Sequence, residues 1–121
     1  MPPFSPITYL DARTMKHLQA RVASFVAQHG LETDVPHRLL DAVSELGEVA
    51  KEVLKNSQYG ARPFHHSVHF EEELGDLMFS VLCVANSSGI DVESAVESAL
   101  RKYERRLTIQ DNPGSASDKG P

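Results

Sequence analysis

Tryptophan is absent from this 121-residue chain, cysteine occurs once, and aromatic residues make up only 7% of it. A lone thiol, Cys83, cannot close an internal disulfide, which excludes a disulfide-stapled secreted scaffold and points to a reducing compartment. No apolar run approaches the ~20 residues needed to span a bilayer. The opening Met1-Pro2-Pro3-Phe4-Ser5-Pro6 has neither the basic start nor the apolar stretch of a signal peptide. The expected address is the cytoplasm. Positive charge is also in deficit: 12 Lys and Arg stand against 17 Asp and Glu, a formal net charge of -5. Duplex nucleic acid needs a basic face, so it is not the expected ligand. A small phosphorylated ligand survives this exclusion, because cations held by carboxylates can meet an anion. Also missing are a glycine-rich phosphate loop, a G-x-S-x-G elbow and a basic-aromatic run suited to RNA.

What is there reads as one soluble domain, with 40% hydrophobic and 24% charged residues. Residues 1–8 carry three prolines and no periodic pattern, and are expected to form an extended lead-in. Residues 109–121 are mostly small, polar and rich in helix breakers, and are expected to be a disordered tail. Between them, over 9–108, helical periodicity recurs four times. The first helix is predicted from about Asp11 to His29 with Met15, Leu18, Val22, Phe25 and Val26 inward and Gly30 as its left-handed cap. The second starts near Pro36, carries Leu39, Val43, Leu46, Ala50 and Val53, and fades at Asn56-Ser57. The third covers about Ser67 to Ser88 with Phe70, Leu74, Leu77, Val81 and Val84 inward, stopped by Gly89. The fourth begins at Asp91 as N-cap and carries Val92, Val96, Ala99, Tyr103 and Leu107. Sustained two-residue alternation is absent, so strands are not expected. The class is all-α, and the short connections favour an antiparallel four-helix bundle-like protomer. The longer link from Asn56 to His66 holds Tyr59, Arg62, Phe64, His65 and His66, and serves as a surface connection or a lid.

The acids are more informative than the core. Glu45, Glu48 and Glu52 follow spacings of three and four, so they stack along one edge of the second helix. Glu73 and Asp76 repeat the arrangement on the third. At roughly 100° per residue, Glu45 and Glu52 border the predicted apolar stripe and Glu73 falls almost within its own. A carboxylate aimed at a core is costly unless compensated. Pairs of this kind on adjacent antiparallel helices could converge, repel, and raise one another's pKa values. A divalent cation removes that conflict, and oxygen-only ligands select magnesium or manganese over zinc. Magnesium usually binds substrate phosphates, which points to phosphoryl chemistry. Solvated glutamates at helical spacing are the commoner explanation of any single such pair. His65, His66 and His69 lack a cysteine partner and give only a weak zinc signal, and Cys83 reads as a small core residue.

Glu45-Leu46-Gly47-Glu48, followed by Glu73-Leu74-Gly75-Asp76 with 24 residues between Glu48 and Glu73, resembles a known signature. It is the E-x-x-E then E-x-x-D pattern of the MazG-like nucleoside triphosphate pyrophosphohydrolases. The resemblance runs from about Leu39 to Leu107, and the paired blocks are more specific than either alone. It implies an all-α fold completed by pairing of protomers, as a homodimer or homotetramer. It further implies magnesium, with manganese as a substitute, held by Glu45, Glu48, Glu73 and Asp76. The implied reaction releases pyrophosphate from a (deoxy)nucleoside triphosphate, in the service of nucleotide-pool sanitation. One of the four acids, or Glu52 through a water, would orient the attacking water. Lys102-Tyr103-Glu104-Arg105-Arg106-Leu107 resembles the K-F-x-R-R-F ending of some MazG domains, so Lys102, Arg105 and Arg106 are expected to contact phosphates. Basic residues in a last helical turn also suit the helix dipole without any ligand. That branch often carries Lys and Asn one turn earlier, where this chain has Ser98 and Leu100, so its substrate choice does not transfer. Two other functions share the pattern: hydrolysis of phosphoribosyl-ATP or a similar nucleotide, and a helical oligomerisation module that binds nucleotide without turnover. Gly47 and Gly75, each costing a helix interior ~1 kcal/mol against alanine, sit inside the acidic motifs. Either close helix packing or close approach of a ligand would account for them.

Overall fold

The structure, a computed structural model, describes residues 14–110 and 112–114. The expected lead-in, the expected first-helix start at Asp11 and most of the expected tail lie outside the described residues. Four helices make up the fold: α1 Met15–Gln28, α2 Val35–Asn56, α3 Val68–Ser88 and α4 Val92–Gln110. No strand occurs among the described residues. Each helix starts on a side chain that takes up a free backbone N–H. The Thr14 hydroxyl accepts from His17 N, Asp34 from His37 N and Ser67 from Phe70 N. Asp91 accepts from Glu93 N at 3.1 Å, which confirms it as the cap of α4.

The stops are equally local. Gly30 has φ +63° and Gly89 has φ +67°, the left-handed conformation that lets the chain leave a helix with its last carbonyls satisfied. Leu31 N reaches back to Val26 O at 2.9 Å, and Ile90 N to Ala85 O at 2.9 Å. The end of α2 has no glycine in that role: Gln58 (φ 48°) and Tyr59 (φ 56°) adopt the left-handed region themselves. Buried Ser57 sustains the turn, its hydroxyl donating to Val53 O and accepting from Gly60 N. Helix α4 outlasts its expected end at residue 108 and includes Ile109 and Gln110.

Helices α2 and α3 form the centre of the molecule. They run antiparallel, joined at one end by Asn56 Nδ2 donating to Ser67 Oγ and at the other by Ser87 Oγ donating to Thr33 O. The face that α2 turns inward is not the expected one. Arg38, Ala42 and Glu52 are its buried residues, with Glu45 and Val49 half-buried on the same stripe. Leu39, Val43, Leu46 and Val53, predicted to be inward, are exposed, Val43 at 59%. The physical reason is rotation by one position: the acidic edge, not the aliphatic one, meets α3. On α3 the buried positions are Ser80, Leu82, Cys83 and Ala85. Leu82, expected to lie off the main stripe, is 1% exposed and the best-buried large side chain. Leu82, Cys83 and Val22 of α1 form the core, flanked by Met15, Val26, Phe79 and Val92.

Helix α4 contributes no buried residue. Its attachment is at its beginning. Gln19 of α1, itself buried, donates through Nε2 to Ile90 O (2.6 Å) and Asn86 Oδ1 (2.9 Å). Its Oε1 accepts from Val92 N at 3.0 Å. Lys16 adds an ion pair to Asp91 at 3.4 Å. One amide therefore ties α1, the end of α3 and the start of α4 together.

Candidate active site

The inward stripe of α2 carries Glu45 and Glu52, and α3 answers with Glu73 and Asp76, because the antiparallel pairing sets the two acidic motifs side by side. Glu45, Glu73 and Asp76 each bring a carboxylate oxygen to within 4.8 Å of the others. Glu45 and Glu73 are half-buried and Asp76 is exposed. Glu48 is exposed and lies outside that trio, yet close enough to act on Glu73 electrostatically. Burial pushes the Glu73 carboxyl above its ordinary value, and the charges of Asp76, Glu48, Glu45 and Glu52 push it further. All five acids singled out in the sequence thus act on one point.

Compensation is uneven across the cluster. Glu52, 8% exposed, is paired with Lys55 Nζ at 3.3 Å. Among the described residues no Lys, Arg or His lies within ion-pair distance of Glu45, Glu48, Glu73 or Asp76. Three convergent carboxylates without a counter-charge form a hard, oxygen-only donor set, the kind that suits magnesium or manganese. The histidines do not compete for this role: His66 pairs with Glu71 and His69 with Glu72, both near the start of α3. In the linking segment, Phe64 packs edge-on against Phe70 with ring centroids 5.1 Å apart.

Gly47 and Gly75 flank the acids on their helices. A Cβ built at either would meet nothing within 4 Å. Close packing between helices of the same chain therefore does not explain them, and open space stands over both.

The basic residues of α4 are not brought to the acids within one chain. Lys102 Nζ lies 5.2 Å from the ring centre of its neighbour Tyr103, and Arg106 donates to Pro113 O at 3.0 Å. No ion pair among the described residues joins Lys102, Arg105 or Arg106 to the α2–α3 seam. Two buried polar residues away from the acids, toward the other end of the helix pair, escaped sequence reasoning. Arg38 falls seven positions before Glu45, in step with Ala42 and Glu52, and that register was the available signal. Gln19 interrupts an apolar stripe between Leu18 and Val22, a position where a polar side chain needs a partner.

An all-helical chain with two E-x-x-[ED] motifs facing each other across a central helix pair defines a class, and the comparisons agree with it. Residues 36–108 match the MazG nucleotide pyrophosphohydrolase domain, and the chain belongs to that family. Among individual proteins, it is 35% identical over 101 residues to YpjD, an uncharacterized protein of Bacillus subtilis (strain 168), covering 80% of this chain and 89% of that one. The crystal structure of YpjD superposes with a TM-score of 0.65 over 78% of this chain and 96% of that one. The crystal structure of the Bacillus-conserved MazG protein, a nucleotide pyrophosphohydrolase, is 30% identical with a TM-score of 0.65, covering 91% of this chain and 98% of that one. No helix among the described residues is long and apolar enough to cross a membrane.

Proposed function

We propose that this chain is a magnesium-dependent hydrolase that converts a (deoxy)nucleoside triphosphate to its monophosphate and pyrophosphate, as part of nucleotide-pool sanitation. The observation that carries the reading is the convergence of Glu45, Glu73 and Asp76, with Glu48 beside them and no counter-charge, in a member of the MazG family. These four acids would hold the magnesium ion, or manganese in its place. Bound there, it would offset negative charge on the phosphate oxygens. The chain's own groups supply the remainder. Glu52, buried and steadied by Lys55, accepts a hydrogen bond from the attacking water and orients it. The water oxygen forms a bond to the α-phosphorus, the bond from that phosphorus to the bridging oxygen breaks, and pyrophosphate leaves with the electron pair. The water's proton passes to a nearby carboxylate.

The reading includes a second copy of the chain. Leu40 of α2 is 65% exposed, and Val96, Leu100 and Leu107 line an exposed stripe on α4. Apolar surface this extensive on two helices calls for a cover. Pairing along α2 and α4 would supply it and would bring Lys102, Arg105 and Arg106 of one chain toward the acids of another, where they would meet phosphate oxygens.

Product analysis tests the reaction. The purified protein is incubated with magnesium and a panel of nucleoside triphosphates, and products are separated by ion exchange. Monophosphate plus pyrophosphate, abolished by EDTA and by Asp76→Asn, is the expected result. Diphosphate plus orthophosphate, or no turnover with either metal, would overturn it. Sedimentation of Val43→Lys beside the wild-type chain tests the pairing, with loss of the oligomer expected.

A further inference from the structure

Glu52 is the most buried of the five acids, on the inward stripe of α2, where an aliphatic side chain would pack at less cost. Its charge acts on Glu73, so it belongs to the cluster electrostatically although it stays outside the convergent trio. It also has a cation of its own. Lys55 Nζ lies 3.3 Å from Glu52 Oε2, and among the described residues no Lys, Arg or His is within ion-pair distance of the other four acids.

The two oxygens of the Glu52 carboxylate are not equivalent. Oε2 accepts from Lys55. Oε1 has no hydrogen-bond partner among the described residues, and no buried side-chain oxygen or nitrogen there is left without one, so Oε1 is open to water. The end of α2 sets the position of Lys55. Its carbonyl accepts from Gln58 N at 3.2 Å, and the Ser57 hydroxyl closes the same turn by donating to Val53 O at 2.8 Å. The lysine side chain is 58% exposed, so an ion pair of this kind adds little to stability, and a cation in a last helical turn suits the helix dipole whether or not it is paired. What the pair does fix is direction. A carboxylate that must receive a hydrogen bond from one water gains from having one oxygen tied and the other left open. Lysine suits this task where arginine does not: an ammonium is a point donor that engages one oxygen, whereas a guanidinium fork engages both.

We infer that Lys55 is a positioning residue for the reaction: by holding Oε2 of Glu52 it leaves Oε1 as the oxygen that receives the attacking water. The inference rests on the pyrophosphohydrolase reading, and adds to it which oxygen acts and why its partner is a lysine. In this role Lys55 touches neither substrate nor metal, so its loss is felt only through Glu52.

Steady-state kinetics of the full-length protein, with magnesium and the triphosphate that the wild type hydrolyses best, test this role. Lys55→Met, which keeps most of the stem, should lower kcat about ten- to a hundredfold with KM little changed, the cost of a small misplacement. Lys55→Arg should keep the charge and the melting temperature and still lose turnover, because its fork occupies Oε1. In Glu52→Gln, adding Lys55→Met should lower kcat no further, since the lysine acts through the glutamate. Mn2+ alone, titrated into Lys55→Met and followed by electron paramagnetic resonance, should bind at least as tightly as to the wild type. Full activity in Lys55→Met or Lys55→Arg, or losses that multiply in the double variant, would overturn the inference. So would a rise in KM at unchanged kcat, which would make Lys55 a phosphate contact, or weaker Mn2+ binding, which would place the effect at the metal. Each of these results leaves pyrophosphate release by the wild-type chain standing; absence of that release would instead sink the pyrophosphohydrolase reading, and this inference with it.

Discussion

Replacing Gln19 with leucine is the substitution whose cost follows most directly from the structure. The side chain is 9% exposed and close in size to leucine, so little cavity forms. What is lost is hydrogen bonding: two donations from Nε2, to Ile90 O at 2.6 Å and Asn86 Oδ1 at 2.9 Å, and one acceptance from Val92 N at 3.0 Å. A typical intramolecular hydrogen bond contributes about 0.5–1.5 kcal/mol, and partly buried groups left unpaired sit at the upper end. The expected loss is about 2–4 kcal/mol, or roughly 10–25 °C in Tm for a domain of this size. Urea titrations at fixed protein concentration would measure it, since any oligomer makes stability concentration-dependent. Because α4 buries nothing of its own, its amides should also exchange faster in Gln19→Leu, while those of α2 change less. A double-mutant cycle with Asn86→Leu should show coupling of about 0.5–3 kcal/mol. A loss below about 0.5 kcal/mol, with the exchange of α4 unaltered, would mean that the amide does not hold the helix in place.

Glu73→Gln should stabilise the metal-free protein at neutral pH while weakening divalent-cation binding, as thermal melts with and without EDTA would show. The sign follows from linkage: the folded protein raises the Glu73 pKa, so the folded state holds the proton more tightly than the unfolded chain. Wild-type stability in EDTA should therefore rise as pH falls through the folded-state value toward the ordinary range of a glutamate carboxyl, a gain that the variant lacks. Gly47→Ala should add about 0.5–1 kcal/mol to the stability of the isolated fold, since alanine is the better helix former and a Cβ there meets nothing. Lower turnover in that variant would identify the open space as the approach of substrate; lower stability would show that a neighbouring chain occupies it. Leu82→Ala should cost about 2–5 kcal/mol by denaturant titration, the range for a fully buried leucine.

The local features of this protein were legible in its sequence because they depend on near neighbours. Helix ends follow from Asp91, Gly30 and Gly89, each acting on backbone groups within one turn, and all three do so in the structure. Asp34 and Ser67 cap by the same chemistry, Ser67 at the expected start of the third helix and Asp34 two residues before the expected start of the second at Pro36. The acidic edges at Glu45, Glu48 and Glu52 and at Glu73 and Asp76 are a consequence of 3.6 residues per turn, which no packing can alter. Of these, Glu45, Glu73 and Asp76 converge across the helix pair, while Glu48 and Glu52 stay outside that trio.

Which edge of α2 faces inward was decided only by the tertiary structure. A helical wheel shows two neighbouring stripes, one aliphatic and one acidic, and hydrophobicity alone assigns the aliphatic stripe to the core. The folded chain instead turns Arg38, Ala42, Glu45 and Glu52 toward α3 and leaves Leu39, Val43 and Leu46 outside. Small residues at Ala42 and Ser80 let the two helices approach along that seam, a complementarity between distant segments that neither shows by itself. The placing of α4 by Gln19, and of Arg38 in a cleft two turns from the acids, likewise depends on contacts across 67 to 73 positions in the one case and between four elements in the other. Short-range periodicity is written in the order of residues; the choice of face belongs to the whole chain, because only there do the shapes that must fit come together.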